Sequence, residues 1–183
     1  MCAEQVVINP GNPTGQLLTE TDIEAIIKVC EEEGLLLLAD EVYQENVYDD
    51  GQKFIAFKQV VESISSTVET ASFHSVSKGF QGECGMRGGY MELHNFAPEA
   101  IEAVYKCVSV GLCSNLPGQV CVDLMVNPPK PGDESYELYA SERDGIFNSL
   151  GYRAKLLVEG LNALPGITCN PSEGAMYAVR KRI

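Results

Sequence analysis

Basic residues are scarce in this sequence, which has 13 Lys and Arg against 26 Asp and Glu and a formal net charge of −13. A surface of this sign repels polyanions, so a general nucleic-acid binder is excluded. Long apolar runs are also missing, because the longest, residues 35–39, is far shorter than the ~20 residues that cross a bilayer. With 45% hydrophobic residues, the chain has the composition of a soluble globular protein rather than of a disordered or membrane-spanning one.

Paired cysteines and clustered histidines are missing as well. The seven cysteines include no Cys-x-x-Cys pair, so we predict core-packed thiols in a reducing compartment rather than a disulfide framework. The two histidines, His74 and His94, lie apart and outside any zinc-binding pattern, so we predict no metal site. We expect a cytoplasmic protein. The mitochondrion is the alternative, because any targeting peptide would lie upstream of Met1.

The first forty residues predict a βαβ unit. Residues 6–8 form a short apolar strand, and the Pro and Gly residues of 9–15 restrict that segment to a loop. A helix begins after Thr19, with Asp22 as its capping-box partner and apolar residues at helical spacing. The apolar run at 35–39 then indicates a strand that is buried on both faces. Strands connected in this way are parallel, with a right-handed crossover.

Polar clusters follow successive strands. Asp40 comes directly after the second strand, and a third strand, predicted at 70–74, runs into the polar segment 75–79. A further strand is predicted at 88–92, after a Gly-rich connection. Because open α/β sheets bind ligands at the carboxyl ends of their strands, we expect Asp40, the 9–15 loop and the 75–79 segment to meet at one edge.

The second half of the chain predicts helices and a linker. Pro98 is typical of a first helical residue, and apolar residues follow it at helical spacing. The Pro-rich segment 127–132 reads as a linker. Residues 135–164 predict one long helix, with a bend expected near Gly145 or Gly151.

The last residues predict the beginning of a second domain, with strands at 167–169 and 175–179. We therefore divide the chain into part of a large domain at 1–132, an interdomain helix at 133–164 and the start of a small α+β domain at 165–183. Because the chain stops within a predicted sheet, we expect this last domain to be truncated.

Two of the residues at the predicted edge have side chains suited to a pyridoxal phosphate site. A deprotonated lysine amine forms a Schiff base with an aldehyde, and Lys78 is the candidate. A carboxylate under the ring keeps the pyridine nitrogen protonated, so that the ring acts as an electron sink, and Asp40 is placed for that role.

The sequence also contains candidate residues for the phenolate oxygen and the phosphate of pyridoxal phosphate. An amide and a phenol can donate hydrogen bonds to the phenolate oxygen of the ring, and Asn12 and Tyr43 supply these groups. Two hydroxyls and a guanidinium can hold the phosphate, and Ser75, Ser77 and Arg87 lie close to the candidate lysine in the chain. An alternative for Arg87 is a surface ion pair.

Three segments of the chain, in order, resemble the signature blocks of class I aminotransferases of fold type I. They are Asn-Pro-Thr-Gly at 12–15, Asp-Glu-Val-Tyr at 40–43 and Ser-Val-Ser-Lys-Gly at 75–79. The stretch 77–90 is similar, more narrowly, to the alanine branch of that family. Family members are more than twice as long, so the resemblance implies that parts of the active site, including the arginine for the substrate carboxylate, lie outside this chain.

The resemblance implies a fold and an activity. The fold is α/β, a mostly parallel sheet with helices on both faces, and the lysine carries pyridoxal 5′-phosphate. The activity is transfer of the amino group of alanine to 2-oxoglutarate, or to glyoxylate in a related branch. Nothing in the sequence separates these two branches. The implied assembly is a homodimer. An alternative is a catalytically incompetent short form that acts through dimerisation, including with a full-length subunit.

Other interpretations of single residues stay open at this point. Ser75 and Lys78 fit the Ser-x-x-Lys pattern of penicillin-binding acyl enzymes, but the Ser-Asp-Asn and Lys-Thr-Gly motifs of that class are absent from the sequence. Glu41 is expected to be a solvated charge at a strand end. His74 is expected to be a packed or hydrogen-bonded strand residue rather than a catalytic base.

Overall fold

The βαβ unit forms as predicted in a computed structural model, which describes residues 3–48 and 51–182. Its elements are β1 (Glu4–Ile8), α1 (Glu20–Glu33) and β2 (Leu36–Asp40). Thr19 and Asp22 form a reciprocal capping box at the start of α1, and Gly34 ends that helix in the left-handed region with φ 64°.

The central sheet has four strands in the order β1-β2-β3-β4, with β3 at Thr70–Ser75 and β4 at Gly89–His94. The first three strands are parallel and β4 is antiparallel to β3. Ile8, Asp40 and Phe73 lie side by side in register. The loops that follow β1, β2 and β3 therefore leave the sheet at the same edge, as expected for a ligand-binding α/β sheet.

One face of the sheet is covered by α1 and by α2 (Phe57–Ser63), a helix that the sequence did not predict. The core under these helices contains Leu37 and Ala39 of β2, while the alternate residues Leu38 and Asp40 point to the other face. The fully buried core residues include Ile23, Ile27, Cys30, Phe57, Val60 and Val61.

Three helices come after β4 along the chain. These are α3 (Pro98–Ser109), α4 (Leu116–Val126) and α5 (Tyr136–Asn162), which continues through Gly145 and Gly151 as one helix. A small antiparallel pair, β5 (Ile167–Cys169) and β6 (Arg180–Arg182), comes last.

The strand predicted at 175–179 is wrong. Ala175 has a left-handed φ of 59°, which a regular strand does not allow. Its amide donates to the carbonyl of Asn46 instead of joining the small sheet. The final strand forms later, at 180–182.

The prediction that the cysteines pack in the core is only partly correct. Cys30 and Cys169 are buried, but Cys84, Cys107 and Cys113 are exposed. Cys2 lies outside the described residues. Within residues 3–48 and 51–182, none of the helices has the length and apolar character needed to cross a membrane.

Candidate active site

A cavity of about 460 Å³ lies on the sheet face opposite to α1 and α2, at the ends of the parallel strands. Asp40, Val42 and Ser75 line it, together with apolar residues of the sheet. Asp40 and Ser75, two of the predicted residues, therefore meet at one cavity, whereas Tyr43, Ser77 and Lys78 are not among the residues that line it. Its walls combine an apolar surface with a few polar groups, as is typical of sites for small molecules and cofactors.

Asp40 is the polar group at the end of β2, and the chain around it is held by backbone hydrogen bonds. The amide of Asn9 donates to the Asp40 carbonyl at 3.0 Å, which joins the loops after β1 and β2. The amide of Val42 donates to the carboxylate Oδ1 of Asp40 at 3.3 Å. The carboxylate is half-buried, so it can present a negative charge to the cavity without being fully desolvated.

Lys78 and Tyr43 lie against each other at this edge. The Lys78 amine is 5.8 Å from the centroid of the Tyr43 ring, within the range of a cation–π contact. Upstream of the lysine, the amide of Ser77 donates to Oγ of Ser75 at 3.3 Å, which shapes the turn after β3. The structure therefore brings Tyr43, Ser75, Ser77 and Lys78 to one region.

Gly79 makes the turn after the lysine possible. Its φ of +68° is in the left-handed region, and a Cβ at this position would lie 2.5 Å from the carboxylate Oε2 of Glu45. The backbone of Phe80 donates a hydrogen bond to that carboxylate, although burial has the larger effect and raises the pKa of Glu45. Sequence reasoning missed Glu45, because nothing in its neighbourhood marks it as a partner of the lysine turn.

The predicted loop residue Asn12 has an exposed side chain and is not among the residues that line the cavity. The loop itself is well ordered by its backbone. Gly11 donates to the Gln16 carbonyl at 2.8 Å, and the buried side chain of Asn9 accepts a hydrogen bond from the Leu18 amide at 3.0 Å.

Arg87, like Asn12, does not line the cavity that contains Ser75. Its guanidinium Nη1 donates to the Cys84 carbonyl at 2.8 Å. It lines a separate cavity of about 360 Å³ together with Asn115 and Gln119. The backbone two residues after Arg87 nonetheless lies close to Ser75, because Gly89 pairs with Ser75 across β3 and β4.

Tyr177 is a further residue that sequence reasoning missed. Its hydroxyl lies 2.6 Å from the hydroxyl of Tyr43, and either group can donate. Burial, followed by this hydrogen bond, raises the pKa of Tyr43. No local signal marks Tyr177, because it lies in a segment that the sequence predicted as a strand of another domain.

The prediction that Glu41 is solvated is wrong. The residue is 5% exposed, and its Oε1 accepts a hydrogen bond from the amide of Phe57, the first residue of α2, at 2.8 Å. Burial raises the pKa of the Glu41 carboxyl, and this hydrogen bond opposes the shift. His74 is buried as expected, and burial lowers the pKa of its ring.

The free energy of unfolding should change with pH because the carboxyl of Glu41 is buried. A carboxyl whose pKa is raised in the folded state contributes stability at pH values below its unfolded pKa, and that contribution is lost as the pH rises through the folded pKa. We expect Glu41→Gln to remove this loss while its amide oxygen still accepts from Phe57. We expect Glu41→Ala, which leaves the amide without its acceptor, to cost about 1–3 kcal/mol of the free energy of unfolding.

Urea unfolding between about pH 4 and 9 measures both effects, because this range begins below the unfolded Glu pKa of about 4.3. The matched control is Glu33→Gln, which removes an exposed carboxylate at the end of α1. If Glu41→Gln and the parent protein lose stability in parallel as the pH rises, the carboxyl is not the titrating group.

Comparison with known proteins decides the family. A model of the aminotransferase class I and II family matches residues 5–181. This chain belongs to that family. The mitochondrial alanine aminotransferase 2 of Arabidopsis thaliana is 55% identical over 94% of this chain and 32% of its own length. Glutamate–glyoxylate aminotransferase 1 of the same plant is 50% identical over 94% of this chain and 37% of its own length.

Solved structures of the family have the same fold. The alanine aminotransferase of Pyrococcus furiosus is 26% identical, with a TM-score of 0.81 over 97% of this chain and 42% of that chain. The predicted fold class, a mostly parallel α/β sheet of fold type I, is thus confirmed. The chain spans about a third of the length of the curated relatives it matches.

Proposed function

We propose that this chain provides the cofactor-binding part of a pyridoxal phosphate-dependent aminotransferase. Family members depend on this cofactor. The observation that carries the proposal is the position of the Lys78 amine, 5.8 Å from the centroid of the Tyr43 ring, at the sheet edge where Asp40 ends β2. A lysine, a phenol and a carboxylate at one edge are the groups that this cofactor requires.

The cavity fits the cofactor by size and by its carboxylate and hydroxyl groups, and Tyr43 and Lys78 lie at the same sheet edge outside its lining. The cavity of about 460 Å³ lies within the ~300–1,000 Å³ typical of small-molecule sites, and Asp40 and Ser75 line it. We assign Asp40 to the ring nitrogen, Asn12 and Tyr43 to the phenolate oxygen, and Ser75 and Ser77 to the phosphate.

Arg87 is assigned to the phosphate as well. For this role its guanidinium must exchange the Cys84 carbonyl for a phosphate oxygen. Such an exchange is favourable because a phosphate offers the guanidinium a negatively charged, bidentate acceptor in place of a single neutral carbonyl oxygen.

When bound, pyridoxal phosphate supplies an electron sink for negative charge at the α-carbon of an amino acid. The Asp40 carboxylate keeps a positive charge on the ring nitrogen by Coulombic attraction in a partly desolvated site. The Tyr43 hydroxyl donates towards the phenolate oxygen. Lys78 would hold the cofactor covalently, and its amine, once displaced by the substrate amino group, would act as general base at the substrate α-carbon and as general acid towards C4′ of the cofactor.

For the substrates, we propose L-alanine and 2-oxoglutarate, which give pyruvate and L-glutamate. The support is the 55% identity to a plant alanine aminotransferase. A glutamate–glyoxylate enzyme at 50% identity favours glyoxylate as the alternative acceptor. The test is a measurement of alanine-dependent amino transfer to each oxo acid, together with an absorption spectrum of the protein after addition of pyridoxal phosphate.

Each of the four outcomes of that test is informative. A visible absorption band with transfer to 2-oxoglutarate supports the proposal, and faster transfer to glyoxylate supports the alternative. A band without transfer to either acceptor supports a catalytically incompetent form that still binds the cofactor. The absence of a band contradicts the cofactor assignment.

We also propose the domain division, the assembly and the compartment. Residues 1–132 belong to the cofactor domain, 133–164 form an interdomain helix and 165–183 begin the small domain. A homodimer, or a heterodimer with a longer subunit, would cover large apolar side chains that are exposed on and between α3 and α4, such as Val110, Leu112 and Leu116. The names of two Arabidopsis relatives favour the mitochondrion over the predicted cytoplasm.

A further inference from the structure

The segment 172–177, which follows the small strand β5, crosses the edge of the large sheet. The amides of Glu173 and Gly174 donate to the carbonyl of Gly15 at 2.8 and 2.9 Å, which ties the segment to the loop after β1. Ala175 donates to the carbonyl of Asn46 at 2.9 Å, which ties it to the chain that follows β2. The segment is therefore attached to two of the loops that define the candidate active site.

The approach of the segment to both loops is close enough to require glycine. Gly15 has a φ of +70°, and a Cβ there would lie 2.5 Å from the Tyr177 carbonyl. A Cβ on Gly174 would lie 2.6 Å from the Asn46 carbonyl. Real Cβ atoms do not approach backbone oxygens this closely, so the sequence allows this contact by omitting two side chains.

The close approach places the side chain of Tyr177 on that of Tyr43. The two hydroxyl oxygens are 2.6 Å apart, and the rings meet edge to face with centroids 5.7 Å apart and an interplanar angle of 86°. Tyr43 is 2% exposed. Two charged side chains also act on Tyr43: Lys78, from the turn after β3, and Asp40, from the end of β2 just before Tyr43.

A phenol hydroxyl has one proton to donate and two lone pairs that can accept. When Tyr43 donates its proton towards a cofactor oxygen, its own oxygen is free to accept from Tyr177. Hydrogen bonds in such a chain polarise one another, so the donation from Tyr177 strengthens the donation from Tyr43. The edge-to-face ring contact also fixes the direction of the Tyr43 ring.

We propose that Tyr177 is a positioning residue for Tyr43, and that the segment 172–177 is thereby a structural part of the cofactor site. Tyr177 acts through the hydroxyl of Tyr43 rather than by touching the cofactor. This inference rests on the proposed function, because Tyr43 is the residue assigned to the phenolate oxygen.

The first test needs no cofactor. Tyrosines labelled with carbon-13 at Cζ give one resonance for each of the eight tyrosines in the sequence, and the Tyr43 resonance is identified with Tyr43→Phe. We expect Tyr177→Phe, which keeps the ring contact, to shift the Tyr43 resonance because its hydroxyl loses its partner. An unchanged Tyr43 resonance in Tyr177→Phe overturns the proposal.

The matched control is Tyr48→Phe. Tyr48 is bound to the same segment, since its hydroxyl donates to the Ala175 carbonyl at 2.7 Å. It shows no contact with the Tyr43 hydroxyl in the part of the chain that the structure describes. We expect Tyr48→Phe to leave the Tyr43 resonance in place. An equal shift in both variants would mean that the segment has moved as a whole, and it would overturn the direct role of Tyr177.

The second test is a double-mutant cycle on the cofactor-loaded protein, read from the pH titration of its visible absorption band. We expect Tyr43→Phe to raise the apparent pKa of the band by about one unit, since the phenolate loses a donor. Tyr177→Phe should raise it less, and should add nothing once Tyr43 is already Phe. Additive shifts overturn the proposal. A parent protein without a visible band overturns the proposed function instead, and the carbon-13 test still decides the tyrosine pair.

Discussion

Replacing Lys78 by alanine is expected to abolish retention of pyridoxal phosphate and to lower amino transfer by at least about 10³-fold. The expected loss is large because, in the proposed function, one amine both binds the cofactor covalently and moves the substrate proton. The measurements are borohydride reduction followed by peptide mapping, which traps the cofactor on its lysine, and the rate of amino transfer in the same preparation.

The control for Lys78 is Lys28→Ala. Lys28 is an exposed lysine of α1 whose ion pair with Glu24, at 3.8 Å, contributes little to stability. We expect this variant to keep both the trapped cofactor and the rate. Retention of the trapped label at full yield in Lys78→Ala would show that another amine holds the cofactor.

Replacing Asp40 by asparagine is expected to lower the rate by about 10- to 10³-fold with little change in the free energy of unfolding. A nearby opposite charge shifts a pKa by about 1–3 units, so loss of the carboxylate lowers the protonated fraction of the ring nitrogen by the corresponding factor. The asparagine side-chain oxygen can still accept from the Val42 amide, as the carboxylate does at 3.3 Å. Charge is therefore the main property that changes.

Steady-state rates and urea unfolding, measured together, separate charge from folding in Asp40→Asn. Glu69→Gln, which removes an exposed carboxylate just before β3, is the control and should leave both quantities unchanged. A loss of rate that follows a loss of stability in Asp40→Asn would assign a structural role to the carboxylate instead.

Local sequence patterns were sufficient for the parts of the fold that depend on local physics. The Thr19 and Asp22 capping box and the strand within 35–39 are properties of neighbouring residues, and both form in the structure. The apolar run also predicted burial on both faces of β2, but Leu36 and Leu38 are only half-buried. The order of strand, helix and strand also implied that the ends of β1 and β2 share one edge. For this reason Asp40, Ser75 and Lys78 could be predicted at that edge from the chain alone.

The burial of Glu41 and the direction of Arg87 could not be predicted in this way. Asp40 and Glu41 are adjacent, yet one lines the cavity and the other caps α2 through Phe57, 16 residues away. Which carboxylate is solvated depends on a helix that the sequence pattern did not reveal. Arg87 turns to Cys84 because the tight turn around it places that carbonyl within reach.

The sequence by itself therefore determined the βαβ frame and the residue types at the sheet edge, because these follow from local spacing and turn chemistry, and its three motifs carried the resemblance to the family. The tertiary structure alone decided that Tyr177 meets Tyr43 across 134 positions of the chain. Such a contact depends on how two segments pack, and here it depends on the space that Gly15 and Gly174 leave at their crossing. No pattern within either segment encodes the distance between the two hydroxyls.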